Sequence, residues 1–100
     1  TDQNMRLIVK LKLDRIAKRM RENRNVSFVY DKGLIETIAS RCTEVESGAR
    51  NVDNILTNTL LPEISVQLLE AMANGEKITA IHVEVGEDGK FVYRNAKASA

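Results

Sequence analysis

The chain has 100 residues, 43% of them hydrophobic and 29% charged, with a formal net charge of +1. That length supports one domain around one core, and the near-neutral balance excludes a strong overall attraction to nucleic acid or to an anionic membrane. A single cysteine, Cys42, excludes an internal disulfide, and no apolar run is long enough to span a bilayer, so a soluble cytoplasmic domain is expected.

Taken in order, Thr1–Asn4 is polar and expected to fray. From Met5 to Asn23, apolar residues at Met5, Val9, Leu13, Ile16 and Met20 recur every three or four positions and predict a helix. Leu7 and Leu11 lie off that stripe. They fit either a broad buried face or a surface that packs on a neighbouring domain. Val26–Tyr30 reads as a strand with Val26, Phe28 and Tyr30 on one side. Asp31 is placed to cap the next helix, about Lys32–Thr43, whose face is Leu34, Ile35, Ile38, Ala39 and Cys42. With no second cysteine or nearby histidine to activate it, Cys42 reads as a core side chain.

Gly48 reads as a break between helices, in a conformation that glycine tolerates. A helix over about Ala49–Leu60 follows, with Val52, Ile55, Leu56 and Leu60 inward. Pro62 predicts either a kink or a new helix that starts on it. Glu63–Ala73 continues with Ile64, Leu68, Leu69 and Met72 as its apolar face, and Gly75 closes it in a left-handed cap. Thr79–Val85 alternates as a strand, Gly86–Gly89 is a hairpin loop, and Lys90–Arg94 is the return strand. The last residues, 95–100, read as a flexible tail on a single domain of about 5–94. The fold class is α+β: about four helices and a small three-stranded, mostly antiparallel sheet.

The charge is unevenly spread, with eight Lys/Arg against three Asp/Glu in residues 1–24 and seven against eleven in the remainder. Two readings of the basic first helix stand: a solvated face, or the contact surface of a stand-alone nucleic-acid-binding module. The absence of interleaved aromatics favours the first. No phosphate loop is present: the lone Gly89-Lys90 pair is followed by Phe91, and Glu84 stands where the loop's first glycine belongs. One histidine, His82, and one cysteine offer no metal site. Glu44 and Glu46 are either a carboxylate pair or part of a solvated loop. The chain should hydrolyse nothing alone. Arg50 differs in kind. It falls in the first turn of a helix, where the macrodipole is already positive, so a cation gains nothing locally and is suited to a polyanion. The alternative is an ion pair with Glu46 or Asp53.

The stretch Arg41-Cys42-Thr43-Glu44 through Gly48-Ala49-Arg50-Asn51-Val52-Asp53 and on to Leu60-Leu61-Pro62-Glu63 resembles the sensor-2 segment of Hsp100/Clp AAA+ ATPases, in the small C-terminal subdomain of the second AAA+ module. The resemblance runs from Met5 to about Arg94. Where the ClpB and ClpA branches usually have an aromatic before the glycine and a proline after the arginine, this chain has Ser47 and Asn51, which is more similar to the type VI secretion branch, ClpV. The resemblance implies a ClpB-type small subdomain that supplies Arg50 to ATP, with Gly48 and Ala49 as the turn close to the nucleotide. It implies ATP with magnesium in the parent protein, and no tight ATP binding by this domain alone. The implied partners are the large AAA+ subdomain of the same chain, neighbouring subunits of a hexamer and, through other domains, a contracted secretion sheath; no membrane or nucleic acid is implied. A general ClpB/ClpA-type chaperone is the alternative parent.

Overall fold

The computed structural model describes residues 2–42 and 48–99. Helix α1 (Asp2–Arg24) leads to strand β1 (Ser27–Tyr30) and helix α2 (Lys32–Cys42). Helix α3 (Gly48–Ile55), a π-helical turn (Leu56–Leu60) and helix α4 (Leu61–Ala73) follow without interruption, and strands β2 (Glu76–Val85) and β3 (Phe91–Ser99) close the chain. Three helical bodies therefore stand where about four were expected, because α3 and α4 are one rod.

Pro62 explains the π turn. It has no N–H to donate, and its ring crowds the carbonyl four residues back. The backbone instead loosens by one residue, so that the Leu61 N–H donates to the Leu56 carbonyl. The helix neither breaks nor restarts. Both of its ends stay in register with the core, with Val52, Leu56, Leu60 and Ile64 buried in succession.

The ends of the other elements have local causes. Helix α1 stops in a Schellman motif: Asn25 has φ +58°, and the Val26 N–H reaches back to the Met20 carbonyl at 3.2 Å. Asp31 caps α2 as expected, its Oδ1 accepting from the Leu34 N–H at 3.1 Å. Gly75, at φ +72°, ends α4.

The sheet order is β1-β2-β3, with β1 parallel to β2 and β2 antiparallel to β3. It is a mixed sheet, antiparallel over most of its ladder and parallel only along the short β1 edge. Residues 95–99, expected in a flexible tail, are strand: Asn95 pairs with Ile81 and Ser99 with Glu76. Backbone pairing along a long β2 outweighs the weak strand propensity of these small residues. A bulge between Ile78 and Ala80 lets both Ile78 and Ile81 face the core despite their odd spacing.

One face of the sheet packs on the helices. Val9, Leu13, Leu34, Ile38, Leu60, Ile81 and Val83 are fully buried at the centre. The apolar face read for α4 needs correction. Ile64 and Ala71 are buried and Leu68 is half-buried, but Leu69 and Met72 are 63% and 64% exposed. Ala71 sits two turns after Ile64, on the same side of the helix, and its small side chain lets β2 come close. Leu69 falls more than a quarter-turn away. Polar ties hold the layers. The Tyr30 hydroxyl donates to Asp14, joining β1 to α1, and the Tyr93 hydroxyl donates to Glu63, joining β3 to α4.

Candidate functional site

The site starts at the junction of α2 and α3. The connecting residues, 43–47, lie outside the described residues, and with them Glu44, Glu46 and the possible Arg50–Glu46 pair. Gly48 is buried and is the first residue of α3. Its role differs from the one expected, since positive φ among the glycines occurs at Gly75 and Gly89. Gly48 is needed for close approach: a Cβ on it would meet the Cys42 carbonyl oxygen at 2.8 Å and Met5 Cε at 2.5 Å. The start of α3 is thus pressed against the last turn of α2 and the first turns of α1, where only a glycine fits.

On that base, Ala49 and Arg50 are exposed and Val52 is fully buried. Arg50 makes no ion pair or hydrogen bond among the described residues. The alternative partner Asp53, one turn later, is engaged from the other side by Lys12, with Nζ 2.7 Å from Oδ1. The structure therefore brings Gly48, Ala49 and Arg50 together as one anchored turn whose guanidinium is exposed and has no partner among the described residues. Helix first-turn N–H groups and the positive end of the macrodipole face the same region. Among the described residues this donor set is of the kind that can hold an anion such as a phosphate group.

Neighbouring groups are structural. Cys42 is fully buried, and burial pushes its thiol pKa up, with Arg41 pulling weakly the other way. Arg41 donates to the Gly89 carbonyl, and its guanidinium lies 5.4 Å from the centre of the Phe91 ring, so it pins the β2–β3 loop to the end of α2. Sequence reasoning gave Arg41 no such role, since its partners lie 48 residues or more away. His82 is exposed on the open face of the sheet. Among the described residues no group of three or more His, Cys, Asp or Glu could hold a metal ion, and no helix is long and apolar enough to cross a membrane. Leu7 and Leu11, each 55% exposed while Val9 and Leu13 are fully buried, form an apolar patch on α1 as the sequence suggested.

Three helical bodies on a small mixed sheet, with a glycine-anchored turn that carries an exposed arginine at the start of α3, define a small α+β domain. The family model for the C-terminal, D2-small domain of ClpB protein matches residues 1–82, and the chain belongs to that family. Among its relatives, the AAA+ ATPase ClpV1 of Pseudomonas aeruginosa is 41% identical over 98 residues, covering 98% of this chain and 11% of ClpV1. The chaperone protein ClpB of Yersinia enterocolitica is 32% identical over 62 residues, covering 62% of this chain and 7% of ClpB. The chain thus spans about a tenth of these relatives. The ClpV1 match reaches into β3, all of which lies beyond the family model's span.

Proposed function

We propose that this domain completes an ATP site in a ClpV-like AAA+ ATPase, with Arg50 as the sensor-2 arginine. The observation that carries the reading is the exposed guanidinium of Arg50, without a partner among the described residues, on a turn that Gly48 and Val52 hold fixed. Phosphoryl transfer builds negative charge on the γ-phosphate oxygens. A preorganised arginine stabilises that charge without reorganising at the moment of reaction. Its planar fork can engage two oxygens, which an ammonium cannot. Bound ATP with magnesium would supply the transferable phosphoryl group, and the phosphate loop would come from a large subdomain of the same protein. Arg50 would bind and orient one end of the triphosphate, and the Gly48–Ala49 turn would hold backbone N–H groups beside it. The exposed Leu7–Leu11 patch is proposed to pack on the rest of that protein or on a neighbouring subunit of a hexamer, in the cytoplasm.

One arginine and one turn are too few contacts for tight binding. Isothermal calorimetry of this domain with ATP should give a dissociation constant well above about 10 µM; a tighter value would mean that the domain holds a complete site. The ClpV-like parentage rests on the 41% identity to ClpV1 over nearly the whole chain. The ClpB similarity keeps a general chaperone as the second reading. The two separate in one experiment with the full-length protein: ATP-dependent disassembly of contracted type VI sheaths against ATP-dependent recovery of a heat-aggregated reporter enzyme. Activity on sheaths alone supports the first reading, and activity on the reporter alone supports the second.

A further inference from the structure

A groove separate from Arg50 runs between α1 and the rod that begins with α3. Lys12, Arg15, Arg19 and Thr57 line its rim, and Ile16 and Leu56 form its floor, enclosing about 190 Å³. Four of the eight cations of α1 have ion-pair partners among the described residues. Arg6 is paired with Glu36, Lys10 with Asp14, and Lys18 more loosely with Glu22. Lys12 neutralises Asp53, which is the groove's acid. Of the other four, Arg15 and Arg19 are the two that line the groove, while Arg21 and Arg24 lie in the last turn of α1. Arg15 and Arg19 stand one turn apart, are exposed on the same rim, and have no hydrogen bond or ion pair among the described residues. Two like charges at that spacing repel each other, so an anion between them relieves a local conflict.

We propose that this groove is a docking site for an acidic protein segment that carries an aliphatic side chain between carboxylates. The Arg15 and Arg19 guanidiniums and the Thr57 hydroxyl would hold the carboxylates, and the Ile16–Leu56 floor would take the aliphatic group. The apolar floor and charged rim decide the class of ligand. A bare phosphate leaves the floor uncovered, and a nucleic-acid strand needs aromatic platforms and a longer cationic track. None of the residues lining the groove is aromatic.

The test is nitrogen–proton NMR of the chain titrated with a blocked Glu-Glu-Leu-Glu-Glu peptide at about 25 mM salt. Parallel titrations use inorganic pyrophosphate, a short oligothymidylate and a Lys-Lys-Leu-Lys-Lys peptide. The acidic peptide should shift the Arg15 and Arg19 side-chain resonances and the Thr57 amide, with a dissociation constant of about 1 mM or below. Arg15→Glu with Arg19→Glu should weaken it at least about tenfold, whereas Arg21→Glu with Arg24→Glu, an equal charge change at the end of α1, should weaken it less than about threefold. Equal weakening by both pairs would mean that the overall charge of α1 is the cause, and would overturn the proposal. So would tighter binding of pyrophosphate or oligothymidylate at the same resonances, or no shift at all while both variant pairs keep the native spectrum.

Discussion

Replacing Gly48 by alanine tests the joint on which the candidate site is built. The new Cβ would stand 2.5 Å from Met5 Cε and 2.8 Å from the Cys42 carbonyl oxygen. The methionine can yield, because its thioether chain has several rotatable bonds. The carbonyl cannot, because it belongs to the last turn of α2, which Leu34, Ile38, Ala39 and Cys42 fix in the core. Overpacking of this kind costs about 1–3 kcal/mol. Alanine recovers at most about 1 kcal/mol through helix propensity, and less in a first turn. A net loss of about 1–2 kcal/mol should lower the melting temperature by roughly 5–15 °C in a domain of this size. Gly75→Ala makes the comparison. Nothing lies within 4 Å of its Cβ position, so only the strain of φ +72° remains, about 1–2 kcal/mol. Melting followed by circular dichroism, with NMR spectra of both variants, separates the cases: only Gly48→Ala should shift resonances at Met5 and along α2. A Gly48→Ala domain that melts at or above wild type with an unchanged spectrum would refute the close approach, and with it the reason given for a glycine there.

Asp31→Ala should cost about 1 kcal/mol, because the Leu34 N–H loses its acceptor at the start of α2; chemical denaturation measures it, and Asp31→Asn should recover most of it. The tyrosines make a pH prediction. Burial, and then the bond to Asp14, pushes the Tyr30 pKa from 10.0 up to about 12, and burial with the bond to Glu63 raises that of Tyr93 as well. A folded pKa above the unfolded one means that the contribution is complete below pH 10 and fades as pH climbs through the folded value. Tyrosinate absorbance of the native domain should therefore stay low at about pH 10.5, where an unfolded chain is more than half ionised; a native midpoint near 10 would contradict the two hydroxyl–carboxylate bonds. At the acid end, the bond from Lys10, then that from Tyr30, lowers the Asp14 pKa below 3.8, so this carboxylate's contribution is present above that value and is lost as pH falls.

Much of the fold was legible because local signals agreed with it. The α1 stripe, the Asp31 cap, the Gly75 stop and the hairpin loop each follow from a few neighbouring residues. The parts that were misread depend on distant partners. The bulge at Thr79 shifts the strand's phase, so alternation is visible only after it, and β2 looks shorter in sequence than it is. Residues 95–99 contain few strand formers and gain order from pairing with β2. Pro62 announces a disturbance without saying which backbone register absorbs it. At the site, the Gly48-Ala49-Arg50 turn was visible, while the reason for the glycine was not, since Met5 and Cys42 meet it only through tertiary packing. Arg41 and the Lys12–Asp53 pair were hidden in the same way.

The most direct measurement on the central claim compares Arg50→Ala in two settings: melting of this domain, and steady-state ATP hydrolysis by the full-length ATPase. Arg50 is exposed and unpartnered among the described residues, so its loss should change stability by about 0.5 kcal/mol or less. Loss of a phosphate-directed arginine can slow turnover on the order of 10³-fold, about 4 kcal/mol of transition-state stabilisation. Arg50→Lys should recover little of that rate, because a point charge does not reproduce the planar fork. The account predicts near-native melting with collapsed turnover. A variant domain that melts many degrees lower, in an enzyme that still hydrolyses ATP at nearly the native rate, would make Arg50 a structural residue and contradict it.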